Sequence, residues 1–578
     1  MFQLTRYLKG FKRELIIGPT FKLTEAIFEL IVPLVVAKII NVGIASRNVG
    51  YVLGHGVVVV LLGLTGLGCA LVCQYLASRA SQGFGTVVRN ELFAHINSFS
   101  HAEIDRFGAP SLITRLTNDI NQLQVAVAML IRLVVRAPFL VVGSAIMALC
   151  IDFRTGLIFL IAAPLVALTL YLVTSRSVPF YKTIQRYLDR ISLITRENLA
   201  GVRVIRAFSK QQTEQERFAH ASDDLKNASI RVGRISALLS PLTFTIINLS
   251  IVAIVWFGGG QVDAGVLTRG EVYALINYMT QNLLALIVVS NLVVIFTKAA
   301  ASGARVQEVF DTLPSVTDEG NSEVIPVKGA PRLEFRDVSF AYNGSDERSL
   351  SHLTLSVAPG ETIGVIGGTG AGKSTLVNLI PRFYDVTEGE LLLDGVNLRD
   401  YPFAQLRGQI GIVPQQALLF SGTLRRNLQW RDEDATDEEI FHALGIAQAK
   451  EFVGRLPDGL DTRILQGGKN LSGGQKQRLT IARALVGNPR VLILDDSASA
   501  LDFATDAALR RAIRQETVGT TVFLVSQRVN TVKGADRIVV LDDGKVAGIG
   551  SHEQLFKNCP EYHEICLSQL SHEEVNRR

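Results

Sequence analysis

The chain has 578 residues, enough for three or four domains, and it is 48% hydrophobic with a mean hydropathy of +0.28 and a net charge of +5. That apolar content excludes an ordinary soluble protein. The basic residues lie between apolar runs and not in one patch, which argues against a nucleic-acid partner. The five cysteines (Cys69, Cys73, Cys150, Cys559 and Cys566) show no metal-ligand spacing and read as reduced thiols, which excludes a disulfide scaffold.

Phe2 to Arg13 mixes Phe2, Leu4, Leu8 and Phe11 with Arg6, Lys9, Lys12 and Arg13, a pattern that suits a short helix in the headgroup region. The apolar run behind it is interrupted by Lys22, Glu25 and Glu29 and has no small-residue cleavage site, so it does not read as a secretory signal. Six membrane spans are predicted at about 17–44, 52–78, 124–150, 156–175, 238–260 and 272–297. The loops after spans one, three and five are short and carry one arginine each, Arg47, Arg154 and Arg269. Ser177 to Arg234, by contrast, holds eleven Lys/Arg. Basic loops stay in the cytoplasm, which places both the N-terminus and everything beyond span six on the cytoplasmic side of the cell's inner (plasma) membrane.

The two cytoplasmic connections are about 45 and 60 residues long and poor in turn signals. Helices are therefore expected to continue past the bilayer, broken chiefly at Pro179 and Gly201, and to turn near 102–112 and 207–218. Twenty-five or so extra residues would project ~35–40 Å. Charges inside spans are costly. Glu25 and Glu29 share one helix face and are either interfacial carboxylates or an attraction for cationic amphiphiles. Arg132 and Arg136 suit inter-helix pairing or snorkelling, with Pro138 as a kink. Asn277, Gln281, Asn282 and Asn291 in span six either bond neighbouring helices or line a cargo cavity.

Residues 1–313 thus read as an all-α transmembrane domain, 314–331 as a Gly-, Ser-, Glu- and Pro-containing linker, and 332–578 as a cytoplasmic α/β domain. In the last of these, Thr362 to Ile366 is an apolar strand and Lys373 onward a helix. The turn between them, Gly367, Gly368, Thr369, Gly370, Ala371, Gly372, Lys373, Ser374 and Thr375, fits the phosphate-loop pattern. Glycines let successive N–H groups face phosphate oxygens; Lys373 would reach the terminal phosphates and Ser374 would place its hydroxyl on Mg²⁺. Val491 to Asp495 is an apolar strand ending in a carboxylate suited to Mg²⁺. Gln415 follows the strand Ile410 to Val413 and is positioned to sense Mg²⁺ or the attacking water. Tyr342 offers a ring to a base. Leu471, Ser472, Gly473, Gly474 and Gln475 open a further helix and a second anion site.

With these motifs in this order, Leu471–Gln475 resembles the signature sequence of ATP-binding cassette (ABC) proteins. Six spans fused to such a cassette resemble an exporter-type half-transporter, and Arg196 to Phe208 in the second cytoplasmic loop shares the likeness. The resemblance implies two cassettes closing face to face on ATP and Mg²⁺, each site pairing one chain's phosphate loop with the other's signature. By motif match it makes Tyr342 the adenine-stacking residue, Gln415 the Q-loop, Ser499 to Asp502 the D-loop, and Ser374, Gln415 and Asp495 the Mg²⁺ set.

Two departures stand out. Asp496 occupies the place of the usual glutamate base and is one methylene shorter, which retracts the carboxylate by ~1–1.5 Å. Gln527 occupies the place of the usual histidine near the terminal phosphate and has no titratable nitrogen. A lesser one is Gln466, where many exporters have glutamate. The chain accordingly resembles the less active subunit of bacterial heterodimeric multidrug exporters: its own site is degenerate, and its signature serves a partner half-transporter with intact Glu and His. The expected cargo is a small amphiphilic compound or drug. The alternatives are a lipid, peptide or siderophore exporter, and an ATP-gated channel or regulatory membrane protein.

Overall fold

The computed structural model describes residues 2–318, 323–342, 347–497 and 500–569. Contacts divide the chain into two units, residues 1–97 with 109–312, and residues 98–108 with 313–578.

The first unit is helical throughout. A tight helical segment, Phe2–Phe11, leads into α1 (Lys12–Lys38), followed by α2 (Val49–Asn97). The next helix, α3 (His101–Phe107), belongs to the second unit. Then come α4 (Ala109–Thr114), α5 (Ile120–Arg132), α6 (Arg136–Ile151), α7 (Phe153–Ala200), α8 (Val202–Ala207), α9 (Gln211–Ala237), α10 (Leu239–Asp263) and α11 (Arg269–Asp311). Six helical stretches are long and apolar enough to cross a membrane: 3–44, 49–97, 109–151, 153–200, 211–263 and 269–311. Each contains one predicted span. The 48 residues of α7 reach ~72 Å, more than twice the ~30 Å of bilayer hydrocarbon.

Pro179 does not break α7, contrary to the sequence expectation. Its ring lies on the exposed side, and the packing of α7 against α9 offsets one missing backbone hydrogen bond. Gly201 does end the helix. The chain turns at Gly201–Lys210 and Ser98–Gly108, a few residues earlier than predicted in each case. The third span is interrupted at 133–135, because Pro138 has no N–H to offer the carbonyl of Val134.

Apolar side chains such as Leu30, Phe159, Val166, Ile254 and Met279 form the core of this unit. Two of its in-span carboxylates are paired. Glu29 meets Arg136 at 2.7 Å, tying the first span to the third, and Glu25 meets Lys22 at 2.6 Å. The two glutamates are therefore not free carboxylates awaiting a cation. In the sixth span Gln281 donates to the Glu29 carbonyl, Asn277 bonds within its own helix, Asn282 is buried and Asn291 is exposed.

The second unit holds twelve strands among its described residues: β1 (Leu333–Phe340), β2 (Leu350–Val357), β3 (Thr362–Gly367), β4 (Glu388–Leu393), β5 (Val396–Asn397), β6 (Ile410–Val413), β7 (Gly422–Thr423), β8 (Arg463–Ile464), β9 (Val491–Asp495), β10 (Thr521–Val525), β11 (Arg537–Asp542) and β12 (Lys545–Gly550). An antiparallel sheet runs β2-β1-β4-β5, and a six-stranded sheet runs β12-β11-β3-β10-β9-β6. Only β12 is antiparallel in the larger sheet. Thr521–Val525 and Val491–Asp495 are buried along their whole length, as parallel strands covered on both faces must be.

Candidate nucleotide site

Strand register builds the site. Val365 lies level with Val525, Val525 with Asp495, and Val413 with Leu494. The carboxyl ends of β3, β10, β9 and β6 therefore meet at one edge of the sheet, where parallel α/β sheets bind ligands. The loops leaving that edge line a cleft of about 360 Å³ with Tyr342, Thr369, Gly370, Gly372, Lys373, Ser374, Thr375, Gln415, Asp495, Asp496 and Gln527. Residues from five separate stretches of sequence are brought together in this way.

The phosphate loop needs glycine at two points. Gly370 and Gly372 sit at φ 85° and 90°, and a Cβ on Gly372 would come within 2.5 Å of the Ser349 carbonyl. Gly367 closes β3, and Gly368 and Ala371 complete the turn. The Lys373 ammonium donates to the carbonyls of Gly367 (3.0 Å) and Gly368 (2.5 Å), which holds it inside the loop. Ser374 Oγ donates to Asp495 Oδ1 at 3.2 Å, so hydroxyl and carboxylate converge on one point. Two hard oxygen donors there suit Mg²⁺. The Tyr342 hydroxyl lies 3.1 Å from Thr375 Oγ1, and its ring packs edge-on against Phe340 and Tyr384.

Burial raises the pKa of both carboxyls at the end of β9. For Asp495 the Ser374 hydrogen bond and Lys373 work against the rise. For Asp496, Arg528, Lys373 and a hydrogen bond from Gln415 do so. Lys373 is shifted downward by burial, opposed by the two aspartates. Asp496 adopts a left-handed backbone (φ 45°), and its N–H donates to the Val525 carbonyl at 2.9 Å. An aspartate held in that region at the mouth of a cleft is backbone strain placed at a functional position.

The signature residues lie elsewhere in the unit. Ser472 caps the helix Gly473–Leu485 in a reciprocal box with Gln475: each backbone N–H donates to the other's side-chain oxygen. Leu471 packs on the core beneath, while Ser472 and Gly473 are exposed, and none of Leu471–Gln475 lines the cleft. Asp502 caps the helix Phe503–Glu516 by accepting from the Thr505 N–H at 3.1 Å. Ser499 lies outside the described residues.

Some residues at the site went unmarked in the sequence. Ser349 and Ser526 also line the cleft. Ser526 is buried and its Oγ accepts from the Arg528 N–H. Arg528 acts electrostatically on Asp496. Ser526 and Arg528 merely flank Gln527, and only adjacency could have flagged them. A second cleft of about 550 Å³, between the helix Phe503–Glu516 and β10, contains Arg510, Arg511 and Arg514 but none of the phosphate-loop or signature residues.

Helix α3 also belongs to this unit. The His101 ring stacks on Phe383 at 4.2 Å, and the Tyr384 hydroxyl donates to Asp105 at 2.7 Å.

Taken together, the two units define a phosphate-loop ATPase fused to a six-helix membrane domain. Residues 15–286 match the ABC transporter transmembrane region and residues 350–499 the ABC transporter ATP-binding family. The chain is 38% identical over 572 residues to an uncharacterized ABC transporter ATP-binding protein of Mycobacterium tuberculosis (strain CDC 1551 / Oshkosh), covering 98% of this chain and 97% of that protein. It is 32% identical over 569 residues to an ATP-dependent lipid A-core flippase of Chromobacterium violaceum, covering 98% and 97%. A bacterial Atm1-family ABC exporter solved with ATP bound shares the fold, with a TM-score of 0.77 and 24% identity over 98% of this chain and 99% of that one. The chain belongs to the ABC transporter family. It is a half-transporter with the fold of an ABC exporter, from an ATP-hydrolysing family that moves substrates across the membrane.

Proposed function

We propose that this chain is one subunit of a heterodimeric exporter of drugs or other small amphiphiles, holding Mg-ATP in a degenerate site of its own while completing a partner's active one. The observation that carries this reading is the composition of the cleft. Everything that grips a triphosphate is present: the phosphate loop, Lys373, Ser374, Asp495 and Gln415. The two positions that would activate water and meet the terminal phosphate hold Asp496 and Gln527. ATP would lie along residues 367–375 with its base against Tyr342, and Ser374, Gln415 and Asp495 would hold Mg²⁺ directly or through water. The metal would neutralise phosphate charge; what this chain lacks is a well-placed base.

Two features favour a second polypeptide. The complete signature lies outside its own chain's cleft, with Ser472 and Gly473 exposed, so it is available to another. The tip joining α7 to α9 presents Leu199 and Phe208 at 74% and 71% exposure beside Arg203 and Arg206, an apolar end suited to docking. A partner with glutamate and histidine at the two altered positions would make a pair with one competent site. Membrane lipid surrounds the spans, in the cell's inner membrane, with the cassette in the cytoplasm. A lipid cargo is the second reading, favoured by the lipid A-core flippase among the relatives.

The test is to purify the chain alone and with its partner. Alone it should bind Mg-ATP and hydrolyse it at a rate near background; together the pair should turn over. Brisk hydrolysis by this chain without a partner would refute the proposal.

A further inference from the structure

We infer that Gln569, on the C-terminal helix Pro560–Gln569, is a positioning residue that sets the height of Gln527 in the nucleotide cleft. The inference rests on the proposed placement of Gln527 at the terminal phosphate.

Gln569 lies far from Gln527 in sequence and does not line the cleft. Both ends of its side-chain amide nonetheless bond the loop that carries Gln527. Nε2 donates to the Gln527 carbonyl at 2.7 Å, and Oε1 accepts from the Val529 N–H at 2.9 Å. The amide orientation follows from its partners, since a carbonyl needs a donor and an N–H needs an acceptor. One side chain thus spans the Gln527–Val529 segment and fixes the peptide on either side of Arg528.

The platform behind Gln569 is rigid. Tyr562 and Cys566 on the same helix are fully buried against Ile366, Val529, Val532 and Val540. The Tyr562 hydroxyl is 2.8 Å from His552 Nδ1. On its other flank the loop is tied to the sheet, where the Ser526 N–H donates to the Val365 carbonyl at 3.1 Å. Between these anchors, the part of the loop facing the cleft has Gln569 as its brace. A glutamine side chain gains ATP over ADP only by reaching the extra phosphate, and a displacement of about 1 Å at its backbone forfeits that contact. Gln569 therefore acts on nucleotide discrimination, not on nucleotide binding as such.

The experiment measures Kd for Mg-ATP and Mg-ADP on the full-length chain in lipid nanodiscs, with the melting temperature recorded for each variant. Gln569→Ala is expected to lower the ATP-over-ADP preference ~3–10-fold while leaving the ADP Kd and the melting temperature close to wild type. Gln569→Glu keeps the acceptor for Val529 but sets a carboxylate against the Gln527 carbonyl, so it should lose the preference to the same degree; it also serves if the alanine variant folds poorly. Gln527→Ala separates this inference from the reading beneath it. If Gln527→Ala lowers the preference and neither Gln569 variant does, the brace is refuted and the site reading stands. If Gln527→Ala leaves the preference unmoved, both are overturned.

Discussion

In the proposed reading, a single methylene separates Asp496 from a glutamate able to reach an attacking water, and its surroundings do not compensate. The backbone is held at φ 45° with its N–H committed to Val525, so the carboxylate cannot advance by a shift of the main chain. Burial raises its pKa, with Arg528, Lys373 and Gln415 opposing the rise. Restoring both altered functions with Asp496→Glu and Gln527→His should raise hydrolysis at this site in the assembled pair by ~10-fold or more. Single-turnover assays with the partner's own site disabled would show this; an unchanged rate would mean that another element limits the site. The positions of these two residues were legible in the sequence, since motif spacing alone places Asp496 after Asp495 and Gln527 after β10. The left-handed backbone and the Gln415 contact were not, because both depend on how β9, β10 and β6 align.

Two elements carry the proposed coupling between chains. The N-terminus of the signature helix is capped by the Ser472–Gln475 box. Removing a capping hydroxyl costs ~1 kcal/mol, so Ser472→Ala should slow the partner's hydrolysis by roughly 5-fold while leaving this chain's ATP Kd unchanged. Paired binding and turnover measurements would separate the two effects, and a matched loss in both would place the residue in this chain's own site. Helix α3 is expected to respond to pH. Burial lowers the pKa of His101, with Asp105 opposing that shift and Arg407 adding to it, while Phe383 covers the ring. In an unfolded chain the imidazole titrates near ~6.5. The contact is thus fully present above that value and is lost as pH falls towards the lower folded pKa, because the unfolded form takes up the proton first. Amide protection over residues 98–108, normalised to the intrinsic pH dependence of exchange, should fall between pH 7.5 and 5.5 and stay level in His101→Gln. No sequence pattern marks this docking: His101, Phe383 and Tyr384 are unremarkable side chains until the chain folds back.

At the scale of the whole molecule, the sequence was most informative where physics repeats a pattern. Six apolar stretches of bilayer length, and strands apolar from end to end, were readable because membranes and doubly covered sheets tolerate little else. Helix continuity through Pro179 was misread, since the cost of one lost hydrogen bond is visible in the sequence whereas the packing against α9 is not. The pairing of Glu29 with Arg136 was open for the same reason: residues 107 apart become neighbours only through the order of the helices.

The eleven residues Ser98–Gly108 carry one more consequence. They come from the membrane half of the gene yet complete the cassette, covering Phe383 and Tyr384. A recombinant fragment cut at the linker would leave that aromatic shelf bare, so a clone of residues 332–578 should prove sticky and short-lived in solution. Supplying the missing loop as a synthetic peptide ought to rescue its solubility.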